Sequence, residues 1–322
     1  VKIVTYSRNV FIPLTNACRN RCHYCGFRSN NPNLMTPDKV ASFLKRAQNA
    51  SEALFTFGER PEVDERIALK LKSLGYKDFI LYVADMNKLA ISHGLLPHTN
   101  AGVLSKSELK ILKPLNASMG LMLEQAVELP CHDESPGKKP EERIRTIKDA
   151  GKLQIPFTTG LLIGIGETHY DRLYSLEVIA DIHDAYGHIQ EVIVQNFSPK
   201  KGTPMENTPP PSLEEMIETV KAAREILPKD VVVQIPANLV DILPLLDAGA
   251  RDIGGISSVT PDYINPEAPW PSLKKIESSL KGKYVLRERL PVHPKYVRLG
   301  CYGQEVAKLV EKMSDEEGYR CL

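Results

Sequence analysis

Short apolar runs alternate along this chain with stretches whose apolar residues recur every three or four positions. The first run, Val10-Phe11-Ile12-Pro13-Leu14, reads as a strand. Thr36-Pro37-Asp38 then supplies a cap, a first-turn proline and a first-turn acid, and Val40, Phe43 and Leu44 follow at helical spacing. The pattern repeats. Residues 52–58 read as a buried strand, and helical runs follow at 63–74 and 79–91. A strand at 95–99 precedes the capping box Ser105-x-x-Glu108 and a helix carrying Leu109 and Leu112. A strand at 117–123 ends on Glu124, a polar loop covers 128–140, and a helix at 141–150 is expected to close at Gly151. A strand at 156–164 runs into a glycine-rich turn, and Thr168 opens a helix with Leu173, Leu176 and Ile179 on one face. Residues 188–197 form a Val- and Ile-rich strand. The Pro-rich loop 199–211 leads to the capping box Ser212-x-x-Glu215 and a stripe of Leu213, Met216, Ile217 and Val220. A strand at 231–235, a helix at 239–248 interrupted by Pro244, and a last strand at 252–257 complete the alternation. Beyond 270 polar and apolar residues alternate, with a closing helix at 304–313.

About eight strand-then-helix units imply a parallel sheet. At this length they fit an α/β fold of the (β/α)8, TIM-barrel type better than a doubly wound sheet, because no break in composition divides the chain. One domain over 1–322 is expected, with an extension at about 270–322 packing on the barrel. Hydrophobic residues make up 42% and charged residues 25%, the balance of an ordinary globular protein. The net charge of +1 gives no reason to expect nucleic acid or an anionic membrane as partner. No apolar run reaches the ~20 residues of a membrane helix, and the first residues lack the plan of a secretory leader. A reducing, cytoplasmic setting is expected.

Chemistry concentrates in Cys18-Arg-Asn-Arg-Cys22-His-Tyr-Cys25, three cysteines spaced C-x3-C-x2-C directly after the first strand. Three thiolates on one tight loop can hold three irons of a cubane and leave the fourth open to another ligand. A structural zinc site would want a fourth ligand, and the candidate, His23, is crowded between two of the cysteines. A disulfide framework does not suit six cysteines in 322 residues. Cys131, Cys301 and Cys321 are scattered and read as plain free thiols. In a barrel the working residues lie at the C-terminal ends of strands. His98, Asn100, Gln195, Asn196, Gln234 and Asn238 fall at such ends and suit a polar, hydrogen-bonding ligand. Residues 260–270, with the single tryptophan, are placed to cover the mouth.

The cysteine spacing, with Tyr24 before the third cysteine, resembles the signature loop of the radical S-adenosylmethionine (SAM) superfamily. That resemblance implies a [4Fe-4S] cluster on Cys18, Cys22 and Cys25, with SAM on its open iron. Phe57-Gly58-Glu59-Arg60-Pro61 partly matches the Gly-Gly-Glu-Pro turn whose backbone binds the SAM amino group, with Phe in place of one glycine. Glu124 is placed for the ribose hydroxyls, the alternative being a solvated charge. Arg143, rather than Arg145, is placed for the SAM carboxylate, the alternative being an exposed helix face. Gly160-Leu-Leu162-Ile-Gly164-Ile-Gly-Glu167 resembles the superfamily's G-x-I-x-G-x-x-E strand, which lies along the adenine.

Residues 6–28, 159–168 and 195–200, and the 254–271 segment, together resemble the 7,8-didemethyl-8-hydroxy-5-deazariboflavin (FO) synthase family within that superfamily. The resemblance implies a lyase. SAM would be cleaved to a 5′-deoxyadenosyl radical, and an adduct of a hydroxybenzyl group with ribityl-diaminouracil would close to the deazaflavin with loss of ammonia. It further implies CofH, which makes the adduct from tyrosine, as a functional partner, and an electron donor. The alternatives are the sister reaction on tyrosine, another radical SAM chemistry such as sulfur insertion, or a non-catalytic zinc- or cluster-binding protein.

Overall fold

The computed structural model describes residues 2–280 and 282–321. Val1, Lys281 and Leu322, which the single-domain expectation also spans, lie outside the described residues. Eight parallel strands close into a barrel: β1 (Lys2–Ile12), β2 (Glu52–Thr56), β3 (Leu96–Asn100), β4 (Ser118–Gly120), β5 (Phe157–Ile163), β6 (Ile189–Asn196), β7 (Val232–Gln234) and β8 (Asp252–Ile256). Each pairs with the next, and β1 closes the ring by pairing with both β8 and β2. The connections carry α1 (Pro37–Arg46), α2 (Glu65–Ser73), α3 (Phe79–Ser92), α4 (Lys106–Leu112), α5 (Pro140–Lys152), α6 (His169–Tyr186), α7 (Leu213–Ile226) and α8 (Ile242–Ala248). The expected (β/α)8 architecture is therefore present.

The local signals act as the sequence implies. Thr36 caps α1, and Ser105, Thr168 and Ser212 each close a reciprocal capping box. Pro244 sits in the first turn of α8 behind the Asp241 cap, where no helical N–H is required of it. The main core lies between the outer faces of the strands and the helix ring, with Val10, Ile12, Phe55, Leu161 and Val192 among its buried members.

Three elements differ from expectation. The strand expected at 117–123 pairs regularly only over Ser118–Gly120. Beyond it Glu124 takes a left-handed backbone (φ 65°) and rejoins β5 by a single bridge to Leu161. Gly151 does not end its helix. It lies within α5, where His188 and Tyr186 press on it, and the left-handed residue is Gln154 (φ 53°). The tail holds a strand that its alternation only hinted at. After α9 (Leu273–Ser279), β9 (Tyr284–Glu288) pairs parallel to the first five residues of β1, and α10 (Pro294–Arg298) and α11 (Ala307–Met313) follow. A second apolar cluster of Leu96, Ala117, Leu290, Val292, Tyr296, Val306 and Val310 joins these last elements to β3 and the entry to β4.

The chain passing from β9 to α10 forms the floor of the barrel. Arg289 donates to Asp252 (2.6 Å) and Glu191 (2.8 Å), and its backbone N–H to the Tyr6 carbonyl (2.8 Å). His293 reaches Glu191 (2.7 Å), and Ser118 donates to the Pro291 carbonyl (2.6 Å). All of these side chains are buried. The guanidinium offsets two buried carboxylates that would otherwise be costly.

Candidate active site

A cavity of about 430 Å³ runs from the cysteine loop down the barrel axis to Arg289. Barrel interiors are usually filled by bulky branched side chains. Here the inward positions carry Ser7, Asn9, His98, Asn100, Gly120 and Thr158, small or polar residues that leave the interior open.

Cys18, Cys22 and Cys25 line the rim, each partly exposed. Their loop is clamped onto neighbouring strand ends. Gly58 must be a glycine, because a Cβ there would stand 1.8 Å from the Ala17 carbonyl oxygen. The Glu59 amide donates to Cys18 Sγ (3.2 Å), and Ser135 Oγ to Cys22 Sγ (3.4 Å). The Glu59 carboxylate accepts from Arg19 Nε (2.7 Å) and the Val103 amide (2.9 Å). Gly102 and Gly137 leave room for it, since a Cβ on either would collide with the carboxylate. Among the described residues, the His, Cys, Asp and Glu side chains whose ligand atoms all lie within 4.8 Å of one another are Glu191, Asp252 and His293, and Arg289 already occupies that trio. The three cysteine sulfurs do not meet that spacing. Tetrahedral zinc, with Zn–S near 2.3 Å, would hold sulfurs roughly 3.8 Å apart.

Beside the cysteines two charges are aimed inward. Arg143 is 3% exposed, donates Nη1 to the Met122 carbonyl and leaves Nε buried without a partner. Arg145, by contrast, is exposed and paired with Glu142 (2.6 Å). Glu124 is buried and paired with Lys138. Burial works to raise its pKa, but Lys138 and Arg143 outweigh burial and hold it below the usual carboxylate range. Neither side chain is the solvated surface group that the sequence left open. Tyr24 bonds His132 (3.0 Å), and burial pushes that histidine down to about 4.

The glycine-rich turn after β5 is held by Glu167, which accepts from the Gly164 (2.9 Å) and Ile165 (2.8 Å) amides and from Arg172 (2.7 Å). Leu162 lines the cavity; Gly160 and Gly164 do not. Gly160 instead lets β5 approach β6, where a Cβ would lie 2.4 Å from the Ile193 carbonyl oxygen. Gly164 takes a positive φ of 94°.

Of the strand-end polar residues, His98, Asn100, Gln195, Asn196 and Gln234 all line the cavity. His98 is fixed by Ser118 (2.6 Å) and Asn100 (3.2 Å), and burial pushes it down to about 4, so it is neutral at pH 7. The Asn196 Oδ1 is buried without a partner. The Gln234 amide, turned so that both ends are satisfied, donates to Glu191 (2.6 Å). Asn238 stands apart: its amide ties Asp262 (3.0 Å) to the Ala268 carbonyl (2.8 Å), outside the cavity lining. It thereby shapes the 260–270 segment, from which Asp262, Ile264 and Asn265 reach the mouth. Sequence reading passed over Lys138, hidden in a polar loop, and Ser7, Asn9 and Glu52, which no motif marks. Strand alternation was the signal that could have found the last three, since it turns Ser7, Asn9 and Phe11 of β1, and Glu52, Leu54 and Thr56 of β2, to the cavity.

A parallel barrel with a three-cysteine ledge after β1 defines a class of protein, and comparison with known proteins agrees. The Radical SAM superfamily model matches residues 12–179. Among solved structures, the fold resembles HydG, a maturase of the [FeFe]-hydrogenase (TM-score 0.72, 15% identity, covering 97% of this chain and 70% of that one). It also resembles methylornithine synthase, PylB (TM-score 0.65, 19% identity, 87% and 82%). Much nearer in sequence are the 7,8-didemethyl-8-hydroxy-5-deazariboflavin synthases of Archaeoglobus fulgidus (65% identity, covering 99% of both chains) and Methanococcoides burtonii (54%, 99% and 98%). The chain belongs to the radical SAM superfamily and, within it, to the 7,8-didemethyl-8-hydroxy-5-deazariboflavin (FO) synthase family. Membership implies a [4Fe-4S] cluster and SAM in general terms. The donor set fits them: three thiolates at the cavity rim, and beside them a buried guanidinium with a free N–H. Among the described residues no helix is long and apolar enough to cross a membrane.

Proposed function

We propose that this chain is a radical SAM ammonia lyase that makes FO from 5-amino-5-(4-hydroxybenzyl)-6-(D-ribitylimino)-5,6-dihydrouracil. The observation that carries the reading, given the family, is the open barrel interior beneath the cysteine ledge, into which polar strand-end side chains are set among apolar walls. When bound, a [4Fe-4S] cluster with SAM on its open iron supplies one-electron cleavage of SAM to a 5′-deoxyadenosyl radical. Cys18, Cys22 and Cys25 hold the cluster. The backbone at Gly58 and Glu59 faces the SAM amino group, and the Glu59 side chain braces the loop from behind. Arg143 meets the SAM carboxylate with the N–H it leaves free. Glu124, kept ionised by Lys138, accepts from the ribose hydroxyls. Leu162, on the strand shaped by Gly160 and Gly164, packs against the adenine.

The substrate lies deeper. Gln195, Asn196 and Gln234 at the ends of β6 and β7, with Asn100 and neutral His98 opposite, both donate and accept, as a ribityl chain requires. The Asn238 contact acts through the mouth segment. Walls that exclude water protect a carbon radical from quenching. CofH supplies the adduct, and a separate electron donor reduces the cluster.

The test is anaerobic incubation with SAM, a reductant, and either the adduct or tyrosine plus ribityl-diaminouracil. Deazaflavin and ammonia from the adduct, with little product from tyrosine, is the expected result. Efficient use of tyrosine by this chain alone would move the assignment to the sister reaction.

A further inference from the structure

Asn9 is 2% exposed and lines the cavity, yet neither its Nδ2 nor its Oδ1 has a hydrogen-bond partner. Leaving both ends of a buried amide unpaired is costly, and native interiors rarely do it without a reason. The room for Asn9 is specific. Gly255 faces it from β8, where a Cβ would stand 2.1 Å from Asn9 Nδ2. Directly beside Asn9, in register on the neighbouring strand, is Glu52. Glu52 is 5% exposed, lines the same cavity and is oriented by Ser7 Oγ (2.6 Å to Oε2). Unlike Glu191 and Asp252 on the floor, it is given no guanidinium bond. Two inward, adjacent groups thus present an amide and a carboxyl, side by side and underused.

We propose that Asn9 and Glu52, with Ser7 as the positioning residue for Glu52, read the cyclic imide edge of the substrate's pyrimidinedione ring: Asn9 donates to a ring carbonyl and Glu52 accepts the ring N–H. This rests on the function proposed above and deepens it. The ring then lies against β1 and β2, deep in the barrel, and the ribityl chain extends towards the amides of β6 and β7. An imide presents acceptor, donor and acceptor in a row, which a neighbouring amide and carboxyl complement in one plane. Burial pushes Glu52 up to about 7, so the carboxyl is poised between its two forms near neutrality and gains most from a donor that completes its site.

The experiment measures equilibrium binding, by calorimetry, of two probes to cluster-loaded protein without reductant. One is ribityl-diaminouracil; the other is its analogue methylated on the imide nitrogen. Wild-type protein is expected to bind the parent at least tenfold more tightly. In Glu52→Gln and Asn9→Ala that preference should shrink to threefold or less, with iron content and melting temperature monitoring the fold. Ser7→Ala should give an intermediate loss. Equal binding of the two probes by the wild type, or a tenfold preference surviving in both variants, overturns the assignment and leaves the proposed function standing. If the wild type binds neither probe, the assignment fails, and the proposed function is judged separately by turnover of the adduct.

Discussion

Glu52 and Glu59 are both buried glutamates at the cavity wall, and their surroundings drive them in opposite directions. Burial alone would raise both. At Glu59, Arg143, the Val103 amide and Arg19 outweigh burial and pull the carboxyl down, so it stays a charged brace for the cysteine loop. At Glu52 burial wins, with Ser7 and the more distant Arg289 opposing it, and the carboxyl is pushed up from 4.5 to about 7. The folded state therefore holds this proton more tightly than the unfolded chain does. The resulting stabilisation is full below about pH 4.5 and is lost as pH rises through about 7. Ser7 on β1, Glu191 on β6, Asp252 on β8 and Arg289 after β9 surround the group. Thermal melts from pH 4.5 to 8 should show wild type losing stability relative to Glu52→Gln. Parallel curves would contradict the raised value. At the ledge, replacing Cys18, Cys22 or Cys25 by Ala should abolish bound iron, sulfide and SAM cleavage, whereas Cys131→Ala, Cys301→Ala and Cys321→Ala should not. Cluster content surviving loss of any one of the three is the contrary outcome. The cysteines were legible because chemistry fixes their spacing along the chain. Asn9 and Glu52 were not, because what marks them is burial without partners, and that exists only once β1 and β2 pair and the barrel closes.

Elements were legible where local chemistry decides them. Each capping box that the sequence shows opens a helix, because the cap satisfies N–H groups within the same turn. They were less legible where distant packing decides. Gly151 looked like a helix stop, yet α5 continues through it because the glycine admits the rings of Tyr186 and His188, whose nearest atoms would stand 2.7 Å from a Cβ. Alanine in place of helical glycine normally gains about 1 kcal/mol. Here overpacking, typically about 1–3 kcal/mol, should win. Gly151→Ala is expected to lower the denaturant midpoint, and a raised midpoint would show that the rings move aside freely. β9 escaped notice for a related reason. Its pairing partner lies at the other end of the chain, and the weak alternation of the tail does not say where a strand would dock.

At the scale of the whole molecule, Arg289 ties the tail to two strands of the barrel through Glu191 and Asp252. Burial alone would lift the Asp252 carboxyl, but Arg289 more than cancels this and holds it down. Removing the guanidinium strands both carboxylates, and breaking such a buried pair costs about 3–5 kcal/mol. Arg289→Met should therefore unfold at markedly lower temperature, or fail to fold, while an exposed change such as Lys308→Met should have little effect. Equal melting temperatures would show that the carboxylates find other partners.

The same guanidinium makes the barrel a vessel stoppered at one end. Among the described residues the cavity's open end lies at the thiolate ledge, opposite this floor. On the function proposed above, a molecule bound for the floor would have to pass the ledge before SAM occupies it. Traffic through one doorway would then impose a queue on the proposed reaction, with the adduct ahead of SAM. Preincubating the enzyme with saturating SAM, before adduct and reductant are added together, should produce a lag that preincubation with adduct abolishes. Identical time courses in the two orders would mean that a second way in opens during turnover.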